Sequence, residues 1–429
     1  MAPTLQLNGS SPHHADDEQL GAAASAATNG HVHLPAIRIG KELGMADAGG
    51  ILRRGPSAKH HILHSDSPFW LLDVGRTQQL MAEWTAAFPR VRPFYAVKCN
   101  NHPLFLRTLA SAQAGFDCAI KEELQQITLL GVSSERIVFA NPYKLQSHME
   151  FATVAGVQLT TFDSAAELHK IKKSMAWDKA KLLLRIETND EGATISVSSK
   201  YGAHMEEVPV LLRSAREAGL AVVGVALHVG SRATNPNAFE EANIANARSV
   251  FEVGEELNEG STGGGISSRD VAPMINKALD GYFPDPSCTN TAAMDGCNSN
   301  DETPFTLVAR IFGKFVRGTR REYWINDGAH HSFPMIVTPQ HARAAARPLR
   351  LRIQALQHEL SGLPLFPSNV FGPTYSALDT LLKGHPLPEL EIGDLLAFPF
   401  MGAYTNSLAT SFNGFGVSHI PAFGFVVAD

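Results

Sequence analysis

Lys98 is the residue whose surroundings point most directly to chemistry. The segment Pro93–Asn100 reads PFYAVKCN, so this lysine stands where a short apolar strand would end. Burial at such a place would lower the pKa of the amine, and a neutral amine is a nucleophile toward a carbonyl group. A lysine at a strand end more often only extends its ammonium into solvent, and the octapeptide alone favours that second interpretation.

The residues around Lys98 belong to a regular alternation of short apolar runs and amphipathic stretches, which is typical of βα units in a parallel sheet. A helix is predicted over Pro209–Ala218, after the fifth of six predicted strands. The predicted strands are Arg92–Val97, Phe116–Ala119, Ile137–Ala140, Leu159–Phe162, Leu182–Ile186 and Val222–His228. Because the alternation shows no reversal, it favours an α/β fold with a closed (β/α)8 barrel of TIM type over an open doubly wound sheet.

The seventh and eighth strands of such a barrel are hard to place. They should fall within residues 258–305, where the sequence contains NEGSTGGG and, later, SCTNT. Neither stretch has the apolar pattern of a buried strand. A helix over Asp270–Tyr282 is predicted between them from the spacing of its apolar residues.

The sequence after about residue 306 becomes rich in β-type runs separated by Pro and Gly, including Tyr323–Gly328, Asp394–Phe398 and Phe423–Val427. This change predicts a separate C-terminal β domain, a sandwich or barrel. The predicted boundaries are a disordered tail over 1–60, a barrel over 61–305 that is degenerate from 258, and a β domain over 306–429. A strand near residues 62–72 fits either domain.

Composition excludes several classes of partner. The chain of 429 residues is 44% hydrophobic and 18% charged, with a formal net charge of −6. This mild charge predicts neither nucleic acid nor a membrane surface as a partner, and a small molecule is the better expectation. The four cysteines form no CxxC pair, which suits a reducing compartment, and no metal site is predicted. The first Arg or Lys is Arg38, so the tail lacks the pattern of a transit peptide and a cytoplasmic location is expected, with an organelle address left open.

Nine blocks of the sequence share an order and spacing with a known family. They are Pro93–Asn100, Phe116–Ala119, Arg136–Pro142, Leu182–Ile186, Leu227–Ser231, Arg321–Gly328, Phe371–Thr374, Met401–Thr405 and Phe412–Phe415. These blocks resemble the eukaryotic ornithine/lysine decarboxylases of barrel type, the plant branch in particular. The resemblance covers about residues 67–257 and 306–429.

The resemblance implies a barrel that binds pyridoxal 5'-phosphate (PLP), joined to a β domain, in a head-to-tail homodimer with active sites at the subunit interface. It implies decarboxylation of ornithine to putrescine, a step of polyamine biosynthesis. Lys98 would hold PLP covalently and His228 would stack on its ring. The other implied cofactor-binding residues are Asp117 and Arg185 at the barrel mouth, Ser231 and Gly265 at the phosphate, and Tyr404 reaching the phosphate from the β domain.

The chain departs from the family at the barrel's last strands. Cys288–Pro304 stands where the family carries a Glu-Pro-Gly-Arg segment, whose glutamate pairs with the pyridine nitrogen and whose arginine binds phosphate. Without that glutamate the cofactor is a weaker electron sink, and without that arginine a bidentate phosphate contact is lost. Gly263–Gly265 lacks the family's preceding strand, so these glycines are either a phosphate loop or only a linker. Arg232 replaces a glycine beside Ser231.

Further departures affect the half of the site that the β domain would supply. Tyr375 and Ser376 stand where the family has Cys-Asp after Gly-Pro-Thr, and the cysteine is the family's proton donor. A phenol with an ordinary pKa near 10 is a poorer acid at that position. Thr338-Pro339 replaces Tyr-Asp, so both carboxylates expected to bind the substrate's distal ammonium are absent, and His330 replaces a tyrosine.

Four interpretations stay open on the sequence alone. The protein is a working decarboxylase with impaired activity, or a catalytically inactive paralogue that acts as a binding or regulatory partner, in a homodimer or in a heterodimer with an active paralogue. It could also run an altered reaction, with protonation misdirected by Tyr375. Finally, residues 258–305 could reflect a faulty gene model, although that would not explain Tyr375-Ser376.

Overall fold

A computed structural model of the chain describes residues 66–87, 92–174, 179–188, 200–228, 249–250, 252–254, 304–334, 363–398, 401–414, 420 and 422–424, and the backbone of 37–39, 354–355, 399–400 and 425–427. Several predictions from the sequence lie outside these residues. They are the disordered tail, the seventh and eighth barrel strands, the helix Asp270–Tyr282, and the phosphate-binding residues Ser231 and Gly265.

The chain first forms strands β1 (Ile37–Ile39) and β2 (Phe69–Asp73) and helix α1 (Val74–Ala87). A parallel sheet follows. Its strands are β3 (Phe94–Ala96), β4 (Gly115–Cys118), β5 (Ile137–Phe139), β6 (Leu159–Phe162), β7 (Lys181–Arg185) and β8 (Ala221–Ala226). These six strands pair in chain order, each parallel to the next. All six predicted strands are confirmed, with ends that differ by at most two residues.

Helices connect the parallel strands. They are α2 (Pro103–Ser111), α3 (Lys121–Leu129), α4 (Gln146–Val154), α5 (Ala165–Lys173) and α6 (Val208–Glu217). The predicted helix Pro209–Ala218 is confirmed as α6, whose Val208, Leu211, Leu212 and Ala215 are buried at helical spacing. Two of these helix starts are capped by side chains: Ser164 Oγ accepts the Glu167 N–H, and His102 Nδ1 accepts the Leu104 N–H. Each unit therefore places a helix on one side of the sheet and returns the chain to a parallel strand.

A mixed sheet is built mainly from the C-terminal part of the chain. Its further strands are β9 (Phe305–Arg317), β10 (Arg320–Ile325), β11 (Gln354–Ala355), β12 (Leu365–Phe371), β13 (Thr380–Pro388), β14 (Leu395–Met401) and β15 (Ala422–Val427). The described order is β1-β15-β2-β9-β10-β12-β13, with β14 pairing β9 and β11. Strand β2 lies between β15 and β9, so the N-terminal strand that the sequence left unassigned belongs to this sheet.

Aromatic contacts join the two sheets. Phe305 at the start of β9 meets Trp70 of β2 and Phe105 of α2 edge to face, with ring centroids 5.9 and 5.1 Å apart. Phe105 also packs on Tyr95 of β3, at 5.2 Å. Such pairs bury large apolar surfaces in a fixed geometry, so this row holds the first strand of the parallel sheet against the mixed sheet. No helix within the described parts of the chain is long and apolar enough to cross a membrane.

Candidate active site

Four of the predicted site residues lie at the carboxyl edge of the parallel sheet. Lys98 lies in the 3₁₀ turn Val97–Cys99 directly after β3, and Asp117 is the third residue of β4. Arg185 ends β7, and His228 follows β8 by two residues. Because the strands are parallel and adjacent in order, these residues share the edge at which barrels of this type gather their chemistry.

Lys98 has a carboxylate within reach. Its Nζ lies 3.8 Å from Asp117 Oδ2, and the two side chains are 44% and 27% exposed. The register explains the pairing, since Ala96 at the end of β3 lies beside Asp117 on β4. The lysine side chain is only partly buried in this chain, and the strong desolvation that would make its amine a nucleophile is not present in the chain by itself.

Arg185 brings positive charge into a half-buried position at the barrel mouth. Burial lowers the pKa of its guanidinium, while the carboxylate of Asp163 acts in the opposite direction. The guanidinium carbon lies 5.2 Å from the ring centroid of Tyr201, a cation–π arrangement. Asp163 itself accepts the Gly202 N–H at Oδ2, at 3.0 Å. The arginine is thus held between a carboxylate and an aromatic ring.

The segment after β8 is tied to the segment after β7. The Thr188 hydroxyl donates a hydrogen bond to the backbone carbonyl of His228. Ile186 N–H also donates to Ala226 O at 3.0 Å, which continues the strand pairing to this point. His228 is therefore carried by backbone that is fixed to the neighbouring strand exit.

Tyr404 reaches the same edge from the mixed sheet. Its backbone N–H donates to Cys99 O at 2.9 Å, and Ser407 Oγ donates to the same carbonyl at 3.0 Å. In return, Asn100 Nδ2 donates to Gly402 O at 3.0 Å. Residues 402–407, called here the docking loop, are thereby bonded to the turn that carries Lys98.

The backbone of the docking loop needs unusual conformations. Gly402 has φ +120°, and a Cβ there would lie 2.8 Å from Phe305 Cδ2. Tyr404 has φ +51°, in the left-handed region that residues other than glycine adopt rarely. Such positions persist where surrounding contacts determine them, and they concentrate at functional sites.

Tyr375 has a different environment. Its side chain is 99% exposed, so it contacts almost nothing of its own chain. The turn that presents it is nevertheless rigidly held, because the buried carboxylate of Asp379 accepts the N–H groups of Ala329 and Thr374 at 2.7 and 2.9 Å. Tyr375 N–H donates to Asn413 Oδ1 at 3.0 Å. The structure does not place Tyr375 with the barrel-mouth residues of the same chain.

The sequence analysis missed two acidic residues near the site. Glu123 lies in the first turn of α3, where its Oε2 accepts the Ala119 N–H at 2.6 Å, and burial raises its pKa. Asp163 directly follows β6, and burial raises its pKa too. The signal that could have found Asp163 is the one that pointed to Lys98: a charged residue at the exit of an apolar strand.

The described residues fit the cofactor that the resemblance implies. A reachable amine at Lys98, with a carboxylate at 3.8 Å, suits covalent attachment of an aldehyde. The half-buried Arg185 and the docking loop with Tyr404 surround the same edge with polar groups. The predicted phosphate ligands Ser231 and Gly265 lie outside the described residues.

Comparison with known proteins agrees with this fit. Residues 74–290 match the family model described as pyridoxal-dependent decarboxylase, pyridoxal binding domain. The chain is 44% identical over 363 residues to a chloroplastic ornithine decarboxylase of Nicotiana glauca, covering 82% of this chain and 83% of that protein.

Solved structures give the same assignment. The arginine decarboxylase of Paramecium bursaria Chlorella virus, bound to agmatine, superposes with a TM-score of 0.69 and 29% identity, covering 89% of this chain and 99% of that one. The lysine/ornithine decarboxylase of Vibrio vulnificus with cadaverine gives 0.64 and 25%, with coverage of 87% and 99%.

A PLP barrel joined to a sheet domain is the class that fold and site define. The chain belongs to the family of PLP-dependent ornithine/lysine-type decarboxylases, and its cofactor is PLP. When bound, PLP supplies the electron sink for loss of a carboxylate from an amino acid. The family assignment and the fold class predicted from the sequence are both confirmed.

Proposed function

We propose that this protein decarboxylates ornithine to putrescine with PLP, as an enzyme of lowered activity that feeds polyamine biosynthesis. The observation that carries the proposal is the grouping of Lys98, Asp117, Arg185 and His228 at one edge of the parallel sheet, with Lys98 Nζ 3.8 Å from Asp117 Oδ2. The ornithine decarboxylase of Nicotiana glauca supports ornithine as the substrate.

Each residue of the proposed site has a physical role. Lys98 Nζ holds the cofactor, and Asp117 Oδ2 keeps a proton near that amine. Arg185 supplies a positive charge at the mouth. His228, two residues after β8, would stack its ring on the cofactor, as the family resemblance implies. The proposed phosphate contacts are Ser231, Gly265 and the hydroxyl of Tyr404.

Lowered activity follows from the proton donor. Loss of the carboxylate requires that a proton be delivered to the carbon that carried it, and a tyrosine is a weaker acid than a cysteine. We assign this step to Tyr375, delivered across a head-to-tail homodimer. The 99% exposure of its side chain supports delivery to a second subunit.

The residues expected to bind the distal ammonium of the substrate also weaken the selection of ornithine. Ser376 and Thr338-Pro339 offer hydroxyls and no carboxylate to a distal ammonium. An ammonium is attracted more strongly by a carboxylate than by a neutral hydroxyl, so we expect a high KM for ornithine and poor discrimination from lysine.

The test is release of labelled CO2 from carboxyl-labelled ornithine, lysine and arginine by the PLP-loaded protein, with Lys98→Ala as the control. We expect slow release of CO2 that is fastest with ornithine. The Lys98→Ala control should release none. Chromatography of the products must find putrescine; an aldehyde product instead would favour the altered reaction, with the proton misdirected by Tyr375.

A second candidate function is that of an inactive paralogue that pairs with an active decarboxylase. This second function is favoured by the exposed Tyr375 and its neighbour Ser376, which stand where the family has Cys-Asp. Mixing the chain with a tagged, active ornithine decarboxylase tests this. Copurification with changed activity of the partner, without CO2 release by the chain alone, would replace the first proposal with the second.

We also place the protein in the cytoplasm, because residues 1–37 contain no Arg or Lys. Residues 1–60 fused to a fluorescent protein should stay in the cytosol of leaf cells. Import of the fusion into chloroplasts would overturn this placement.

A further inference from the structure

A cleft lined by cations lies between the β9–β10 turn and the register shift in the middle of β12 and β13, on other strands than the candidate active site. Its volume is about 540 Å³, within the range of small-ligand pockets. It is lined by Arg317, Thr319, Arg320, Pro367, Asn369, Lys383 and Gly384. Three of these side chains are cations and none is a carboxylate.

The strand register forces two of these cations together. Arg317 at the end of β9 pairs directly with Arg320 at the start of β10, across the turn formed by Gly318 and Thr319. Like charges directly opposite each other on antiparallel strands destabilise a sheet. In a chain with a net charge of −6, such a concentration of positive charge needs a compensating group.

The chain supplies only part of that compensation. Arg317 Nε donates to Glu322 Oε2 at 2.8 Å. Among the described residues, the charged heads of Arg320 and Lys383 make neither an ion pair nor a hydrogen bond. The two charged groups of Arg320 and Lys383, which this chain leaves without a partner among the described residues, thus point to an external anion.

The neutral residues of the cleft suit an oxyanion. The Thr319 hydroxyl is a donor, and Asn369 accepts the Gly384 N–H at Oδ1, at 3.0 Å, which leaves its amide NH₂ as the donor end. Arginine forks match phosphate oxygens two at a time, and lysine acts as a point charge beside them. The cleft is larger than one phosphate group requires.

We propose that this cleft binds a small ligand that carries two or more linked phosphoryl groups. The proposal is independent of the decarboxylase reaction. Its competitor is a purely structural role, in which Lys383 on β13, at the end of the described strand order, only discourages pairing of that edge with another strand.

The test is calorimetric titration of the full chain, saturated with PLP, with inorganic pyrophosphate at low salt. Saturation with PLP occupies the cofactor's own phosphate site. We expect binding that the double variant Arg320→Gln/Lys383→Gln weakens by about tenfold or more. The control Arg213→Gln/Lys173→Gln removes the same charge from exposed positions on α6 and α5 and should bind like the parent.

Two further arms keep the test decisive. Orthophosphate should bind more weakly than pyrophosphate, and Lys383→Gln alone, at an exposed strand edge, provides a folded variant if the double one is unstable. No heat from the parent chain, equal loss in the control variant, or equal affinity for both anions would overturn the proposal.

Discussion

Tyr375 is the residue at which the proposed mechanism departs most from its relatives. Its side chain is 99% exposed, on a turn fixed by Asp379. Because the turn is rigid, exchanging the side chain should change the acid without moving it. We predict that Tyr375→Cys/Ser376→Asp raises kcat for ornithine by about 10²-fold, the lower end of general acid catalysis.

The measurement is steady-state CO2 release, with Leu378→Cys as the matched control. Leu378 is 61% exposed on the same loop, so it offers a thiol at a different place. An unchanged kcat in the double variant, or an equal rise in the control, would show that Tyr375 is not the proton donor.

Lys144 allows a prediction for pH. Its side chain is fully buried, with Nζ 2.8 Å from Glu167 Oε1, and burial lowers its pKa to about 8. The unfolded chain keeps this proton up to about pH 10.4. Between these values the unfolded state binds more protons, so the stability contributed by Lys144 rises with pH and stays constant below the window.

We therefore expect the unfolding free energy of the parent, measured relative to that of Lys144→Met, to rise between about pH 8 and pH 10. Urea titrations at several pH values measure it, with exposed Lys173→Met as the control. A flat difference across the window would refute the lowered pKa.

At the scale of elements, the docking loop is the feature on which the site depends most. It bonds to the turn of Lys98 through Cys99 O and needs Gly402 at φ +120°. Gly402→Ala should cost about 1–3 kcal/mol of stability and weaken PLP binding, because the new Cβ meets Phe305.

Gly414→Ala is the matched control for this change. Gly414 also has a positive φ, of +78°, but nothing lies within 4 Å of its Cβ position. Absorbance titration with PLP should give a raised Kd for Gly402→Ala alone. Equal PLP affinity in both variants would separate the loop from cofactor binding.

The elements also explain what could be predicted from the sequence. Runs such as Leu182–Ile186 are apolar and short, and they predict buried strands whatever their neighbours are. The bond from Asn100 to Gly402 spans 302 positions, and no local pattern predicts such a contact. Strand β2 stayed unassigned for the same reason, since its partners β9 and β15 lie far along the chain.

The residues of the candidate site also differ in how far the sequence alone could predict them. Lys98 was predicted from its place at a strand end, whereas Asp117 was expected only from the family resemblance, and the 44% exposure of Lys98 depends on what covers it. Glu123 was missed because its carboxylate bonds back to Ala119 from a helix, where acidic residues are common on stability grounds.

At the scale of the whole molecule, the proposal requires two subunits and a cofactor that stabilises them. Light scattering after gel filtration should give about twice the 46.3 kDa chain mass. Added PLP at about 100 times its Kd should stabilise the fold by about 2.7 kcal/mol, seen as a higher Tm. A monomer with a high, cooperative Tm that PLP does not change would contradict both expectations.

The central claim, that Lys98 binds PLP at the edge of the parallel sheet, has a direct test. The purified chain is incubated with PLP, reduced with borohydride, digested and examined by mass spectrometry, with Lys98→Ala as the control. We predict a pyridoxyl adduct on Lys98 that is absent from the control. A parent chain without an adduct, or with adducts only on other lysines, would contradict it.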